Sequence, residues 1–249
     1  MKVSIITATF NSSSTIAGCL ASVNNQTHQD IEHIIIDGSS SDKTLEIINS
    51  VPNRVVKIIS EPDEGIYDAM NKGIRLSSGE VIGILNSDDL YSRNDVIEII
   101  VKVFETTSVD CFHADLYYVN KFNVNQIVRS WKSSDFIPGA FRKGWHPAHP
   151  TFFVRRHIYE KYGLFNPIFD LAADFELMLR FLEKYRINST YMPEPIVRMR
   201  LGGKTNKNIR NIIKQNIECY KAFKINELPV SILYPIYRLL PKVKQFWHE

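Results

Sequence analysis

Short apolar runs alternate with amphipathic stretches over the first third of the chain. Four of these runs are rich in β-branched residues and are predicted to be strands, at residues 3–10, 31–37, 55–60 and 81–85. The stretches between them carry apolar residues at helical spacing and are predicted to be helices, at 12–25, around Leu45, Ile48 and Val51, and at about 64–76. This alternation predicts an α/β fold in which helices cover both faces of a mainly parallel sheet. Ligands of such sheets bind beyond the carboxyl ends of the strands.

The pattern is less regular in the second half of the chain. A helix is predicted at 94–105, followed by strand-like segments at 111–119 and 126–131 and by a loop rich in Gly, Pro and His at 138–150. Two further amphipathic helices are predicted at 173–185 and 208–223. No internal repeat or low-complexity tract interrupts the sequence, so one large domain is the simplest organisation.

Composition and charge exclude several classes of protein. The chain has 249 residues, 44% of them hydrophobic, and a formal net charge of only +3, with positive residues scattered until the C-terminal segment. A duplex nucleic acid partner is therefore not expected. Three widely spaced cysteines, Cys19, Cys111 and Cys219, favour neither a disulfide framework nor a zinc site and fit a reducing cytosol. No secretory signal pattern and no apolar run long enough to cross a bilayer is present, so a soluble or peripheral protein is expected.

Carboxylates follow three of the four predicted strands. Asp37 ends the second strand, Glu61 and Asp63 follow the third, and Asp88 and Asp89 follow the fourth. Because close like charges raise one another's pKa and oppose folding, an edge that gathers acids needs solvent or a cation. Carboxylate oxygens are the ligands that Mg²⁺ and Mn²⁺ prefer, so a divalent-cation site is predicted at Asp88 and Asp89, with an ordinary strand-ending turn as the alternative. Asp37 can accept hydrogen bonds from a base or a ribose, although Asp-Gly is also common in turns.

These residues occur within motifs that resemble family-two glycosyltransferases with the GT-A fold, particularly bacterial enzymes of cell-surface polysaccharide synthesis. In the first half the motifs are IITATFN at 5–11, IDGSSSD at 36–42, SEPDEGIYDAMNKG at 60–73 and LNSDD at 85–89. In the second half HPAHPTFF at 146–153 and AADFE at 172–176 resemble the landmarks of the acceptor side. The resemblance implies a GT-A catalytic domain at 1–205, with a nucleotide-binding half at 1–105 and an acceptor-binding half at 106–205. It leaves a C-terminal helical segment at 206–249.

The resemblance also implies roles for individual residues. It places Thr7, Thr9 and Asn11 along the nucleotide, Asp37 at the base, Asp88 on the ribose side and Asp89 on the metal, which would be Mn²⁺ or Mg²⁺. The contiguous Asp88-Asp89 pair departs from the Asp-x-Asp pattern, so both acids are candidate metal ligands. Asp68 and Asn71 are secondary candidates for the donor side, although Asp68 and Lys72 also match an ordinary surface pair on a helix.

Asp174 is implied as the catalytic base. An inverting transfer needs one carboxylate to take the acceptor proton while the acceptor oxygen attacks opposite the leaving diphosphate. Glu176 is a competing base, and an acid near a helix N-terminus is the structural alternative for Asp174. His146 and His149 are weaker candidates, either for the diphosphate and metal shell or as loop residues with no role.

The expected reaction is transfer of a sugar from a nucleotide-sugar, most simply a UDP-sugar, to a lipid-linked or saccharide acceptor in O-antigen, capsule or exopolysaccharide synthesis. The Gln-x-x-Arg-Trp signature of processive synthases is absent, which favours one sugar per encounter. A nucleotidyltransferase and a non-catalytic nucleotide-sugar-binding protein are the alternatives. The first would carry a Gly-rich loop after strand one, and a dehydrogenase would carry G-x-G-x-x-G there; residues 7–14 contain no glycine.

Residues 231–247 combine aromatic and aliphatic side chains with Arg238, Lys242 and Lys244. Such a segment can lie in the headgroup region of an anionic membrane. A terminal helix packed on the domain, or a dimer contact, is the alternative, and Pro235 and Pro241 interrupt any long helix. By resemblance, the acceptor is expected to be an undecaprenyl-diphosphate-linked saccharide and the location the cytoplasmic face of the bacterial plasma membrane.

Overall fold

A computed structural model describes residues 1–202, 209–235 and 238. Within these residues a nine-stranded sheet has the order β3-β2-β1-β4-β8-β6-β9-β5, with β7 paired to β6. The strands are β1 (Val3–Thr9), β2 (Ile31–Asp37), β3 (Val55–Ser60), β4 (Val81–Ile84), β5 (Leu90–Tyr91), β6 (Cys111–Val119), β7 (Ile127–Trp131), β8 (Phe153–Arg155) and β9 (Ser189–Arg200). The helices are α1 (Ile16–Asn24), α2 (Thr44–Ser50), α3 (Ile66–Leu76), α4 (Val96–Thr106), α5 (Arg156–Tyr162), α6 (Ala173–Leu179) and α7 (Ile209–Ile225).

The first half of the sheet is parallel. β1 pairs in parallel with β2 and β4, and β2 pairs in parallel with β3. β1 and β2 are buried along their whole length, because helices cover both faces of the sheet at its centre. Their carboxyl ends therefore open on one edge, as the alternation of strands and helices predicted.

The second half of the sheet is mixed. β8 pairs antiparallel with β4 and with β6, and β6 pairs in parallel with β9. The two halves of the chain thus share one continuous sheet. The predicted α/β fold, a mixed sheet flanked by helices, is confirmed.

Four elements were not predicted: β5, at the end of the first half, and α5, β8 and β9 in the second. β5 and β8 have only two and three residues, which is too short to produce a pattern. β9 contains Pro193 and Pro195, which usually argue against a strand inside a sheet. The structure accommodates them through two register shifts where β9 pairs with Ala114, Asp115 and Leu116 of β6.

Helix α3 approaches the sheet closely at Gly73. A Cβ added there would lie 2.3 Å from Cγ2 of Ile6 in β1. Only glycine allows this approach, which fixes α3 against the middle of β1. The N-terminal turn of α3 then lies beside the edge where β1 and β4 end.

Helix α7 packs on α6 through one side, where Cys219, Ala222 and Phe223 are buried. None of the described helices is long and apolar enough to cross a membrane. The predicted membrane-binding segment 231–247 lies mostly outside the described residues, which include only 231–235 and 238 of it.

Candidate active site

A cavity of ≈ 890 Å³ opens at the carboxyl ends of β1 and β4. The ends of β1 and β4, the start of α3, the start of α6 and the end of β9 all contribute to its walls. Five aspartates line it: Asp63, Asp88, Asp89, Asp170 and Asp174. Lys121 and Arg200 are the basic residues among the described lining residues. The cavity is therefore predominantly acidic.

Asp88 and Asp89 lie between β4 and β5, after the strand that was predicted to precede them, but they differ in exposure. Asp88 is partly exposed to the cavity, whereas Asp89 is buried. Burial, followed by the charge of Asp88, raises the pKa of Asp89 well above its usual value. Among the described residues, the Asp89 carboxylate accepts two long hydrogen bonds, from the Asn86 side-chain amide and the Arg200 backbone N–H, each at 3.4 Å.

Asp174, in the first turn of α6, is held by three groups. The Tyr67 hydroxyl donates a hydrogen bond to Oδ1 of Asp174 at 3.2 Å, and the backbone N–H of Phe175 donates one to the same oxygen at 2.8 Å. Nδ1 of His149 lies 3.3 Å from Oδ2. Asp174 and His149 are both partly exposed and both line the cavity. The carboxylate is thus oriented yet accessible, which is what a general base requires.

His149 also connects Asp174 with the acidic turn after β4. Its Nε2 lies 3.4 Å from the side-chain amide nitrogen of Asn86, the same nitrogen that contacts Asp89. Asn86 therefore stands between the two acidic centres of the cavity.

Three buried polar atoms of the cavity wall have no hydrogen-bond partner among the described residues. They are the Thr9 hydroxyl at the end of β1, the Asn86 side-chain oxygen after β4 and Nε of Arg200 at the end of β9. Buried polar groups normally have partners, because an unmade hydrogen bond costs about 1–3 kcal/mol. Three such atoms around one cavity are available to hydrogen-bond a polar ligand.

Asn11 also lines the cavity, with a backbone φ of 47°. Its side-chain oxygen accepts a hydrogen bond from the Ser41 N–H at 2.9 Å, and its own N–H donates to the Ser40 hydroxyl at 2.8 Å. Asn11 therefore ties the loop after β1 to the loop after β2 and shapes this wall of the cavity.

Thr7 and Asp37 do not line the cavity. Thr7 is fully buried within β1, where its hydroxyl lies 3.0 Å from Nε2 of His33. Asp37 is also fully buried, and its carboxylate accepts hydrogen bonds from the Ser40 N–H at 3.0 Å, the Ser40 hydroxyl at 2.5 Å and the Ser60 hydroxyl at 2.6 Å. Thr7 therefore links β1 to β2 within the sheet, and Asp37 holds the end of β2 to the following loop and to the end of β3.

The secondary candidates on α3 also lie outside the cavity wall. Asp68 forms an ion pair with Lys72 at 3.3 Å, the ordinary surface pair that was the alternative interpretation. Asn71 is buried and exchanges two hydrogen bonds with the Phe165 backbone, at 2.8 and 2.9 Å. This amide clamp fixes Phe165, which does line the cavity.

Glu176 and His146 are likewise directed elsewhere. The Glu176 side chain is buried in an ion pair with Arg180 at 2.9 Å and accepts a hydrogen bond from the Asn226 amide at 2.9 Å. An α-helix turns by roughly 100° per residue, so residues two positions apart point to nearly opposite sides. Asp174 faces the cavity, and Glu176 points into the interior. Nδ1 of His146 donates to the carbonyl oxygen of Pro147 within its own loop at 2.9 Å, and the ring packs on Trp131. Glu176 therefore does not fit the position of the base.

The cavity fits a divalent cation by its chemistry. Among the described residues no group of three or more His, Cys, Asp or Glu side chains is arranged to hold a metal. Mg²⁺ and Mn²⁺ do not need such a group, because one or two carboxylates together with substrate phosphate and water complete their shell. Asp88 and Asp89 are that minimal set, and a phosphorylated ligand would need a cation to lie beside them.

Phe10, Tyr67, Asn86 and Arg200 are among the cavity residues that were not predicted as site residues. Tyr67 and Asn86 lie within the motifs that carry the resemblance, so their position was the available signal. Arg200 ends β9, a strand that the sequence did not predict, and no signal identified it.

The sequence matches the model of the family described as "Glycosyl transferase family 2" over residues 4–185. A similar sequence is a PGL/p-HBAD biosynthesis glycosyltransferase of Mycobacterium tuberculosis, 29% identical over 198 residues, which are 76% of this chain and 73% of the relative.

Solved structures share the fold. The mannosyltransferase PcManGT from Pyrobaculum calidifontis, in complex with GDP-Man and Mn²⁺, superposes with a TM-score of 0.67 at 18% sequence identity. The aligned region includes 95% of this chain and 72% of the PcManGT chain. Residues 1–349 of S. aureus TarS in complex with UDP-GlcNAc give a TM-score of 0.66 at 16% identity and cover 88% of this chain and 66% of their own. In another TarS structure, the region that aligns with this chain is 39% of the TarS chain.

Proposed function

The chain belongs to glycosyl transferase family 2, and from that premise we propose that it is a metal-dependent, inverting glycosyltransferase that uses a nucleotide-sugar donor. The proposed donor is a UDP-sugar, with a hexosyl or N-acetylhexosaminyl group to transfer. The family replaces the nucleotidyltransferase alternative, since the match covers residues 4–185.

The observation that carries the proposal is the meeting of two acidic centres in one cavity. Asp88, with the buried Asp89 behind it, lies at the end of β4, and Asp174 lies at the start of α6. Both Asp88 and Asp174 reach the same ≈ 890 Å³ space, which is large enough for a nucleotide-sugar and part of an acceptor. Separate acids for donor and acceptor are what a direct displacement needs.

In the proposed reaction Asp174 accepts the proton of the acceptor hydroxyl. The acceptor oxygen forms its bond to the anomeric carbon while the bond from that carbon to the diphosphate breaks, and the electron pair of the broken bond stays on the diphosphate. Tyr67 and the Phe175 N–H hold Oδ1 of Asp174, so Oδ2 faces the cavity and His149. A single displacement of this kind inverts the anomeric carbon.

On the donor side Thr9, Asn11 and Asp88 are the nucleotide-binding candidates that lie in the cavity wall. Asp88 and Asp89 are the proposed ligands of Mn²⁺ or Mg²⁺. A cation bound there would offset the charge that develops on the leaving diphosphate. Two structural neighbours support this proposal, because PcManGT was solved in complex with GDP-Man and Mn²⁺ and TarS in complex with UDP-GlcNAc.

The proposed acceptor is a lipid-linked saccharide, with an undecaprenyl-diphosphate carrier as the proposed lipid, in synthesis of O-antigen, capsule or exopolysaccharide. The proposed place of action is the cytoplasmic face of the plasma membrane, with the protein peripheral to it. The proposal rests on the family and on the M. tuberculosis relative named for PGL/p-HBAD biosynthesis.

A donor panel tests the proposed function. The purified protein is incubated with UDP-, GDP- and dTDP-sugars, with Mn²⁺ or with a chelator, and release of the nucleoside diphosphate is measured. We expect release from one nucleotide class, dependent on the cation and lost in Asp174→Asn when a transferable acceptor is present. Release that is equal with cation and with chelator would contradict the metal dependence.

A further inference from the structure

The exposed face of α7 is composed of isoleucine and basic residues. Ile209, Ile213 and Ile217 recur at intervals of four, so they form one stripe along the helix, and they are 74%, 51% and 46% exposed. We call these three residues the isoleucine stripe. Solvent-facing helix positions are normally polar, so three consecutive turns with an exposed isoleucine are unusual for a helix that faces water.

Basic side chains flank the isoleucine stripe. Arg210, Lys214 and Lys221 line a shallow depression together with Ile213 and Ile217. The single acid of α7 is Glu218, which is buried and accepts a hydrogen bond from the Leu171 N–H at 2.8 Å. Glu218 also borders the depression, but its carboxylate is bound to the Leu171 N–H, and the residues of α7 that are exposed are isoleucines and basic residues.

Packing fixes which face of α7 points outward. Cys219, Ala222 and Phe223 are buried against the domain, and the Phe223 ring contacts Phe175 of α6 at a centroid distance of 6.0 Å. The isoleucine stripe lies on the opposite side and cannot rotate inward without losing this contact. Exposure of the stripe is therefore a property of the folded domain.

Positive charge is concentrated in this part of the chain. The whole chain has a formal net charge of +3, with 30 Lys and Arg residues and 27 Asp and Glu residues. Residues 203–249 alone contain nine of the basic residues and only three of the acids. The rest of the chain is therefore net negative, and an anionic surface would attract the domain by this end.

The outward face of α7 also lies next to the cavity. Nζ of Lys214 forms an ion pair at 2.7 Å with Asp170, a residue of the cavity wall. Leu171, the next residue, also lines the cavity and is held by Glu218 of α7. A surface that binds this face would meet the cavity at its rim.

We propose that α7 docks the domain on an anionic lipid bilayer, with the isoleucine stripe inserted at the headgroup boundary and Arg210, Lys221 and Lys224 on lipid phosphates. Apolar burial and electrostatic attraction act together in helices of this composition. This inference rests on the proposed function, which places the protein at a membrane. It assigns the attachment to α7, a surface separate from residues 231–247. It also brings the cavity to the membrane, where a lipid-linked acceptor is present.

The apolar part is tested by vesicle flotation of the full chain. Vesicles of phosphatidylcholine and phosphatidylglycerol in equal parts are compared with vesicles of phosphatidylcholine alone. We expect binding to the anionic vesicles and a large loss of it in the triple variant Ile209→Ser, Ile213→Ser, Ile217→Ser. The matched control changes three exposed isoleucines elsewhere, Ile127→Ser, Ile137→Ser and Ile168→Ser, and should bind as the unmodified chain does.

The electrostatic part is tested with Arg210→Gln, Lys221→Gln and Lys224→Gln together. Each basic residue near an anionic surface contributes about 1 kcal/mol to binding, so the triple variant should bind the vesicles roughly a hundredfold more weakly. High salt should weaken vesicle binding of the unmodified chain as well, because it screens the same charges. Lys43→Gln, Lys57→Gln and Lys102→Gln is the matched control, since these lysines are exposed on other parts of the domain. Equal binding by the α7 variant and its control would overturn the proposal.

Two further results separate this inference from its competitors. Nucleoside diphosphate release in solution should be the same in both α7 variants as in the unmodified chain. If the unmodified chain releases none, the proposed function is rejected, whereas vesicle binding still decides membrane docking. If instead sedimentation shows that the unmodified chain is a dimer and that the serine variant is a monomer with undiminished vesicle binding, a second copy of the chain occupies the stripe and membrane docking is rejected.

Discussion

The hydroxyl of Tyr67 donates a hydrogen bond of 3.2 Å to Oδ1 of Asp174, joining the first turn of α3 to the first turn of α6. The two residues are separated by 107 positions in the sequence. The contact orients a carboxylate from the second half of the chain with a side chain from the first. Burial and the Asp174 charge also raise the pKa of Tyr67 well above its usual value, so Tyr67 remains a donor at any physiological pH.

Tyr67→Phe should lower kcat by roughly ten- to a hundredfold, because a hydrogen bond to a charged group is worth about 1.5–3 kcal/mol. The ring remains, and with it the stacking on Phe165 at a centroid distance of 5.5 Å, so the KM for the donor should change little. Steady-state kinetics of the variant measure the split between kcat and KM. Tyr185→Phe, which lies outside the cavity wall, is the control. A rise in donor KM with kcat unchanged would assign Tyr67 to donor binding instead.

Asp174→Asn should abolish transfer while the donor still binds. The amide keeps the size of the side chain but cannot accept the acceptor proton. Donor affinity is measured by calorimetry and transfer by product formation. Glu176→Gln is the informative companion, because Glu176 is buried with Arg180 and lies outside the cavity wall. That variant should retain transfer and lose stability, since weakening a buried ion pair is costly; if it loses transfer while Asp174→Asn keeps it, the base is misassigned.

Asp89→Ala should abolish Mn²⁺-dependent donor turnover while the fold is retained. Asp89 is buried behind Asp88, and burial raises its pKa, so removing it relieves an unfavourable charge and should not lower the melting temperature. Mn²⁺ binding is measured by electron paramagnetic resonance and turnover by nucleoside diphosphate release. Asp68→Ala is the control acid from α3, paired with Lys72 on the surface. Wild-type turnover in Asp89→Ala would refute the metal role.

Strands β1 to β4 were predictable because each has at least four residues, is rich in β-branched residues and alternates with a helical segment. β2, β3 and β6 were predicted at their observed bounds, and the site edge followed from the parallel alternation. β9 could not be predicted, since Pro193 and Pro195 are compatible with it only through register shifts that depend on its partner β6. A sequence pattern reports local conformational preference, whereas β9 forms because of its pairing with the distant strand β6.

The candidate site was predictable in its acids but not in the connections between them. Asp88, Asp89 and Asp174 were named from the sequence and the resemblance, and the structure brings all three to the cavity. Asn71 lies outside the cavity wall because its amide pairs with the Phe165 backbone, and no sequence spacing reveals a partner 94 residues away. Whether a polar residue faces a ligand or braces the fold depends on such distant partners.

Asn71→Ala should destabilise the fold by about 1–3 kcal/mol, since it leaves the buried N–H and carbonyl of Phe165 without their partner. The effect on donor binding should be secondary and follow from movement of Phe165. The free energy of unfolding is measured in urea. Asn49→Ala is a suitable control, because its amide donates only to the Leu45 carbonyl on an exposed helix surface. A large loss of donor affinity without loss of stability would instead place Asn71 in the donor site.

His33 should make the stability of the fold depend on pH. Burial lowers the pKa of His33 to about 3, and its ring is held neutral beside the Thr7 hydroxyl. In the unfolded chain a histidine has a pKa of about 6.5. The unfolded state therefore binds a proton that the folded state refuses, so this stabilisation is complete above pH 6.5 and is lost as the pH falls from there towards 3. At pH 5.5 the loss should be about 1.4 kcal/mol relative to pH 8. Urea unfolding of the unmodified chain and of His33→Gln at both pH values measures this loss. The glutamine variant is less stable at pH 8 but should lose about 1.4 kcal/mol less stability between the two pH values. Equal losses in the two proteins would show that the pKa of His33 does not differ between the folded and unfolded states.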